Sequence, residues 1–159
     1  MDNLQVLKED SRNYKRRVAG AFVPISPADI LSKISGNCIY VSEKIDGEFN
    51  LFYFNGENAC LVNANGFVKD NLPVLKSAEN SLKGKGVKSL KLAVELHIKE
   101  GDKRSRISEV QSALASGIEK LTISPFDILS IDNEDNPHRD YKTRIEKINQ
   151  LFDNNELIK

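Results

Sequence analysis

The feature that most constrains the fold of this chain is a set of three short apolar or alternating segments, each separated from the next by turn-forming residues. The segments are Cys38 to Lys44, Phe49 to Phe54 and Ala59 to Val62. Asp46-Gly47 and Asn55-Gly56-Glu57-Asn58 separate them, and residues of these types favour tight reversals of the chain. The pattern therefore predicts an antiparallel meander, which Asn65-Gly66 closes with a further turn.

Helical and strand-like patterns alternate along the rest of the chain. Apolar residues at helical spacing predict helices over 71 to 82, 104 to 116 and 140 to 152, and Ser26-Pro27 marks the start of a short one. Ser89 to Ile98 and Leu121 to Ile131 are predicted strands. The whole pattern indicates an α+β domain with a mostly antiparallel sheet flanked by helices. A length of 159 residues predicts a single domain.

Composition excludes a strong overall electrostatic field as the means of attracting nucleic acid. The chain has 23 basic and 23 acidic residues, so its formal charge is zero. Local basic groups are Lys15-Arg16-Arg17 and the lysines between 83 and 91, and charge runs of this kind are usually solvated faces. With no apolar run near the roughly 20 residues of a membrane span, we expect a soluble, cytoplasmic protein without a membrane partner.

The cysteines and histidines do not predict a metal centre. Cys38 and Cys60 each lie in an apolar, strand-like context, which is typical of reduced core thiols. His97 and His138 are too isolated to complete a zinc site with them. The glycine-rich run Lys83-Gly-Lys-Gly86 lacks the spacing of a phosphate-binding loop and is interpreted as a connection between a helix and a strand.

The segment Val41 to Glu48 carries the residues with the clearest chemical use. A strand here is predicted to deliver Lys44 to its end and then to turn through Asp46-Gly47. A partly desolvated lysine amine near a bound cation can lose its proton and attack the α-phosphate of a nucleotide, which forms a phosphoramidate. Asp46 would help to place the lysine or the substrate, and Gly47 would allow close backbone approach. The alternative is a plain hairpin turn beside a surface lysine.

Three matches in order resemble one family of enzymes. Lys44-x-Asp46-Gly47 resembles the nucleotide-acceptor motif of DNA ligases, RNA ligases and mRNA capping enzymes. Leu92 to Leu96 is similar to the ligase strand that ends in Glu-Leu, and Pro125 to Leu129 is similar to the later strand with the pattern Phe-Asp-x-Leu. Their spacing also resembles that of a ligase adenylation domain. The chain is thus similar to the N-terminal part of an ATP-dependent polynucleotide ligase of the covalent nucleotidyltransferase superfamily.

The resemblance implies a role for each matching residue. Lys44 would attack ATP with the help of Mg²⁺, carry AMP, and pass it to the 5′-phosphate at a nicked DNA or RNA end. Asp46 and Gly47 would belong to the ATP-binding set, and Glu95 would contact the ribose hydroxyls and assist the metal through water. Phe126 would stack on the adenine, and Ser42 would read the adenine edge. The residues alone also allow a surface carboxylate at 95, a core phenylalanine at 126 and an ordinary strand serine at 42.

The sequence also departs from the family's pattern. Phe49 stands where DNA ligases commonly have arginine, and Asn63-Ala64-Asn65-Gly66 stands where they commonly have Ser-Arg-Asn-Gly. Phenylalanine and alanine cannot pair with phosphate as arginine does. Residues 132 to 159 match neither the family's Glu-Gly strand, nor its paired-lysine strand, nor its oligonucleotide-binding barrel. We therefore expect a portion of a longer ligase, completed by the remainder of that chain or by a partner subunit.

Several functions remain open from the sequence. A DNA ligase is the leading interpretation, and an RNA ligase shares the same motifs. A non-catalytic relative that binds nucleotide or nucleic acid is the alternative from another class, since both arginines and the lysine strand are missing. Guanylyl transfer in RNA capping shares the lysine motif but fits Phe-Asp-Ile-Leu less well.

Overall fold

The computed structural model describes residues 4–34, 36, 39–98, 106–135, 140–153 and 155–158. Its helices are α1 (Leu4–Ala21), α2 (Ile30–Lys33), α3 (Pro73–Gly84), α4 (Ile107–Ser116) and α5 (Tyr141–Leu151), with 3-10 turns at Pro27–Asp29 and Ile118–Lys120. Its strands are β1 (Glu48–Phe54), β2 (Ala59–Asn63), β3 (Val68–Lys69), β4 (Leu90–Ile98), β5 (Leu121–Ile131) and β6 (Glu134–Asp135).

The strands form one sheet in which every neighbouring pair is antiparallel. Their order is β3-β2-β1-β4-β5-β6, so β1 and β4 lie at its centre. The register between these two central strands places Phe49 opposite Glu95 and Glu48 opposite Leu96. Two segments that are far apart in the sequence, the turn before β1 and the end of β4, are thereby brought to the same end of the sheet.

The main core lies between one face of the sheet and helices α3, α4 and α5. Because side chains alternate between the two faces of a strand, every second residue of β1 and β4 points into this core. The strands contribute Phe52, Phe54, Leu92, Val94 and Leu96, and the helices contribute Val74, Leu75, Leu82, Val110 and Leu151. Burial of each such side chain stabilises the fold by about 1.5–3 kcal/mol.

Helix α1 covers part of the opposite face of the sheet, and the sequence analysis did not predict it. Leu7 packs against Leu51 and Val62, and the Ser11 hydroxyl donates a hydrogen bond of 3.0 Å to the Val62 carbonyl. Leu7, Ser11 and Tyr14 are all buried. Their spacing of four and three residues is helical, but only two of the three are apolar, so the periodic signal is weak.

The other helices and strands confirm most of the sequence predictions. The helices predicted over 71 to 82 and 140 to 152 are α3 and α5, and the short helix after Ser26-Pro27 is the 3-10 turn that leads into α2. The predicted strands correspond to β1, β2, β4 and β5. The helix predicted over 104 to 116 is α4, which begins at Ile107, while residues 104 and 105 lie outside the described part of the chain.

The strand predicted from Cys38 to Lys44 is wrong in its described residues. Residues 39 to 44 carry neither helix nor strand, and Cys38 lies outside the described residues. The reason is that both edges of β1 are already occupied, by β2 and by β4. No other strand among the described residues pairs with this segment, and Ile39 and Val41 remain 54% and 91% exposed.

Cys60 is a half-buried free cysteine, and burial raises the pKa of its thiol, with Asp70 adding to the effect. Cys38 and His138, also considered in the sequence analysis, lie outside the described ranges. Within those ranges no three His, Cys, Asp or Glu side chains are grouped as a metal site. None of the described helices has the length and apolarity needed to cross a membrane.

Candidate active site

A cleft with a volume of about 1230 Å³ lies at the end of the sheet where β1 begins. Its walls are built from the turn before β1, the turn between β2 and β3, the end of β4, the start of α4 and one residue of α1. They include Lys15, Lys44, Asp46, Gly47, Glu48, Phe49, Asn63, Ala64, Glu95 and Arg106. Small-molecule pockets commonly measure about 300–1,000 Å³, so the cleft has room for a nucleotide.

Gly47 is the point at which the turn touches β4. Its N–H donates a hydrogen bond of 3.0 Å to Glu95 Oε1. A Cβ atom at this position would lie 2.3 Å from the Leu96 carbonyl oxygen, closer than any side chain can approach. Glycine is therefore required here by close packing of two backbones, as the sequence analysis predicted.

Lys44 lies four residues before the first residue of β1, and its largely exposed side chain reaches the cleft. Its ammonium forms an ion pair with the Asp46 carboxylate. The side chains are 82% and 47% exposed respectively, and such exposed pairs contribute little to stability. The pair orients the lysine beside the cleft and can be opened at small cost when an anionic ligand arrives.

Glu95 is the half-buried carboxylate of the cleft. Burial raises its pKa above the ordinary value, while the hydrogen bond from Gly47 and the charge of Lys44 oppose that rise. Asp46 adds to the increase and Lys15 reduces it. A carboxylate whose pKa is shifted by burial and by named charged neighbours in a cleft is typical of a functional site.

A polar network beside the cleft was missed by the sequence analysis. Glu48 Oε1 accepts hydrogen bonds of 2.8 Å from Lys69 Nζ and from Asn63 Nδ2, and Lys69 also donates to Asn50 Oδ1 at 3.1 Å. Lys69 and Glu48 are only 12% and 19% exposed. The network fixes the turn between β2 and β3 to the start of β1. Lys69 lies far from Glu48 in sequence, so only the pairing of the strands reveals it.

Phe126 lies behind the cleft in an aromatic cluster. Its ring centroid is 6.3 Å from that of Tyr14 and 6.3 Å from that of Phe49, while Tyr14 and Phe49 stack with centroids 5.8 Å apart and planes 4° apart. Phe49 lines the cleft, and Phe126 and Ser42 are not among the described residues that do. The structure thus brings Lys44, Asp46, Gly47 and Glu95 together at the cleft, whereas Phe126 packs against Phe49 in the aromatic cluster.

Tyr14 is held in this cluster by a chain of polar contacts. Its hydroxyl donates a hydrogen bond of 2.7 Å to Asp127 Oδ2, and Arg144 Nε lies 2.8 Å from Asp127 Oδ1. Burial and the contact with Asp127 raise the pKa of Tyr14. Asp127 belongs to the Phe-Asp-Ile-Leu motif, so this motif joins α1 and α5 to the sheet.

Basic side chains from outside the motif segments also line the cleft. Besides Lys44, it is lined by Lys15 of α1 and by Arg106 at the start of α4. Phe49 and Ala64, which stand where DNA ligases commonly have arginines, line the same cleft. Lys15 was noted in the sequence as part of a basic cluster, but Arg106 was not singled out, because its place depends on where α4 begins.

The donor set also fits a divalent cation bound with a nucleotide. Mg²⁺ is commonly held by one or two carboxylates together with substrate phosphates. Asp46 and Glu95 both line the cleft, and the charge of Asp46 disfavours ionisation of Glu95. A cation bound near both would relieve that repulsion and would compete with Lys44 for the exposed Asp46 carboxylate, whereas Glu48 is held in a largely buried pair with Lys69.

The sheet and the helices on its two faces form an α+β fold, which confirms the predicted class, and this fold is similar to that of solved DNA ligase structures. The chain is similar to a mycobacterial DNA ligase D solved in complex with ATP and MES, with a TM-score of 0.54, 18% identity, and coverage of 69% of this chain and 35% of that one. It is equally similar to the ligase domain of M. tuberculosis LigD, with a TM-score of 0.54, 18% identity, and coverage of 68% and 34%.

This chain spans about a third of the length of those ligase structures. At 18% identity the likeness concerns the fold. No protein-family model and no curated protein sequence matches the chain.

Proposed function

We propose that this chain is the nucleotide-binding part of an ATP-dependent polynucleotide ligase, in which Lys44 becomes covalently linked to AMP. The observation that supports it most is the meeting of two sequence motifs in one cleft. The Gly47 N–H of the lysine motif hydrogen-bonds Glu95 of the Glu-Leu strand, although the two are far apart in sequence. The ligase-like fold and the ATP complex of the mycobacterial neighbour support the same proposal.

In this proposal the charged residues of the cleft contact different parts of the nucleotide. Glu95 accepts hydrogen bonds from the ribose hydroxyls, because a carboxylate is a strong acceptor for them. Lys15 and Arg106 line the cleft and bind the phosphates in place of the arginines that DNA ligases carry at positions 49 and 64. Asp46 and Glu95 would hold Mg²⁺, which would neutralise charge on the phosphates.

Lys44 Nζ is the proposed nucleophile. It must leave its ion pair with Asp46 and lose one proton, because only the neutral amine has the lone pair needed for attack. The nitrogen then forms a bond to the α-phosphorus, and the bond from that phosphorus to the bridging oxygen of the β-phosphate breaks. Pyrophosphate leaves with the electron pair, and the nitrogen releases a second proton to solvent, which reaches this exposed side chain.

The later steps extend the proposal to nucleic acid. AMP would pass from Lys44 to the 5′-phosphate of a nicked DNA end, and a neighbouring 3′-hydroxyl would then displace AMP as the strand is sealed. Phe49 and Ala64 in the cleft favour two alternatives, an RNA ligase of the same superfamily or a relative that binds nucleotide without catalysis. The remainder of the ligase would come from a longer chain or a partner subunit.

A label-transfer assay tests the covalent step. The full-length protein is incubated with Mg²⁺ and ATP or GTP labelled at the α-phosphate, and the polypeptide is examined for label that is labile in acid and stable in base. We expect label from ATP that is lost in Lys44→Ala. The matched control is Lys142→Ala, which removes another exposed lysine, from α5, and we expect it to be labelled as the wild type is.

The outcomes separate the alternatives. Label from GTP in preference to ATP would favour guanylyl transfer. ATP binding with no label would reject the enzyme and favour the non-catalytic relative. Label that persists in Lys44→Ala would place the nucleophile elsewhere.

A further inference from the structure

We propose that Phe49 supplies the aromatic surface against which the base of the bound nucleotide packs. This inference deepens the proposed function and rests on the presence of a nucleotide in the cleft. Phe49 lines the cleft together with Lys44, Gly47 and Glu95, whereas Phe126 is not among the described lining residues. Aromatic side chains bind bases by stacking, because every base offers a π-face.

The register of the sheet places Phe49 beside the proposed ribose contact. Phe49 is directly opposite Glu95 in the antiparallel pair of β1 and β4. Opposed residues of such a pair project from the same face of the sheet, with Cβ atoms about 4.5–5.5 Å apart. Since the base and the ribose are covalently joined, a ribose bound at Glu95 brings its base within reach of the Phe49 ring.

The exposure of Phe49 sets it apart from the other phenylalanines of its strand. Phe52 and Phe54 are fully buried in the main core. Phe49 lies on the other face and keeps part of its surface accessible at the cleft. A phenylalanine whose function was only to fill the core would be expected to lose that surface.

The Phe49 ring is braced from behind. Tyr14 stacks on it with planes 4° apart, and Phe126 packs at an angle of 51° to both rings. Tyr14 is itself fixed by its hydrogen bond of 2.7 Å to Asp127. A ring that is already held in place loses little conformational entropy when a ligand packs on it.

Tryptophan fluorescence gives a direct test, because the chain contains no tryptophan. Phe49→Trp and Phe126→Trp each place one reporter in the full-length protein. The probe is α,β-methylene-ATP, whose α–β linkage cannot be broken to transfer AMP, and tripolyphosphate is the matched ligand without a base. We expect the methylene analogue, and not tripolyphosphate, to change the emission of Phe49→Trp strongly and that of Phe126→Trp weakly.

Affinity gives the second measurement. Phe49→Leu keeps an apolar side chain but removes the ring, and we expect it to weaken binding of the analogue by about tenfold or more, with binding of tripolyphosphate unchanged. Phe126→Leu should change the affinity for the analogue by less than about twofold, since that ring acts through Phe49. Thermal unfolding of each variant verifies that it is folded.

Four results would overturn the inference. One is a wild-type affinity in Phe49→Leu, another is an equal loss of tripolyphosphate binding, and the third is a tryptophan at 49 that responds to a nicked duplex and not to the analogue. Absence of analogue binding by the wild type would also overturn it. Failure of the proposed function has a different signature, because the analogue would bind with the Phe49 dependence while ATP left no label on Lys44.

Discussion

The two halves of the candidate site differ in how they are held. On the sheet side, Gly47, Glu48 and Glu95 are fixed by strand pairing and by hydrogen bonds of 2.8–3.0 Å. On the other side, Lys44 lies on residues 39 to 46, which form neither helix nor strand, and an exposed ion pair orients its side chain. The sheet side of the cleft is therefore built into the fold, whereas the position of Lys44, the proposed nucleophile, depends on weak local contacts.

The largest effect is expected when the turn at Gly47, which precedes β1, is pushed away from β4. In Gly47→Ala the added Cβ would collide with the Leu96 carbonyl oxygen and push Lys44 away from Glu95. We expect the rate of label transfer to Lys44 to fall by at least about 100-fold, since a displacement of about 1 Å can have that effect. Gly84→Ala is the matched control, because nothing lies within 4 Å of its added Cβ. Equal activity in both variants would contradict the role of the close contact.

Loss of Lys69 should lower the stability of the sheet side of the cleft without changing the contacts of Lys44. In Lys69→Met the Glu48 carboxylate would remain largely buried after losing its cation. We expect the free energy of unfolding to fall by about 1–3 kcal/mol, measured by urea denaturation. Lys142→Met removes a lysine from an exposed pair and should change it by less than about 0.5 kcal/mol. Equal losses in the two variants would show that burial of the Glu48 pair has no special importance.

Arg106 provides a test of the proposed phosphate contacts in the cleft. Arg106→Ala should weaken binding of α,β-methylene-ATP by about tenfold, the size of one charge-assisted contact of roughly 1.4 kcal/mol. The loss should shrink as salt is added, because exposed charges are screened. Arg16→Ala, on the α1 helix, is the control, since Arg16 is not among the described residues that line the cleft. An unchanged affinity in Arg106→Ala would remove this residue from the phosphate site.

The smallest expected effect concerns Glu95 and the dependence of stability on pH. Burial raises the pKa of Glu95 in the folded protein, so the wild type loses stability as the pH rises from the usual glutamate value of 4.5 through the folded value. Glu95→Gln does not titrate and keeps an oxygen that can accept the Gly47 N–H. We expect the variant to be slightly more stable than the wild type near pH 7 and to lose that advantage below pH 4.5. Thermal unfolding across this range measures it, and a constant difference would contradict the assignment.

The sequence predicted those elements whose periodicity is strong. α3 carries buried apolar residues along one side, and β4 and β5 are long segments in which apolar residues recur between turn signals. The segment from 39 to 44 looks equally strand-like, but a strand forms only where a partner strand is available, and local pattern contains no information about partners. α1 was missed for the opposite reason, since it is a mainly polar helix that is held by contacts with residues far along the chain.

The same reasoning explains which residues of the candidate site could be predicted from the sequence. Lys44, Asp46, Gly47 and Glu95 were singled out because short motifs carry them, and the structure places all four at the cleft. The role of Lys44 as nucleophile, and those of Ser42 and Phe126 at the adenine, stay predictions. Lys69 and Arg106 belong to no motif. The place of Lys69 follows from the strand register, and that of Arg106 follows from the start of α4. Phe126 packs against both Phe49 and Tyr14, and Tyr14 lies on the helix that was not predicted.

The packing of α1 has a practical consequence for anyone who wishes to shorten this protein. A truncated protein that started just before the lysine motif would retain every motif residue. It would also expose the Leu51 and Val62 side chains that Leu7 covers, remove the Tyr14 ring that supports Phe49, and take Lys15 out of the cleft. Such a version would be expected to aggregate and to bind nucleotide poorly, and its inactivity would say nothing about the chemistry of Lys44.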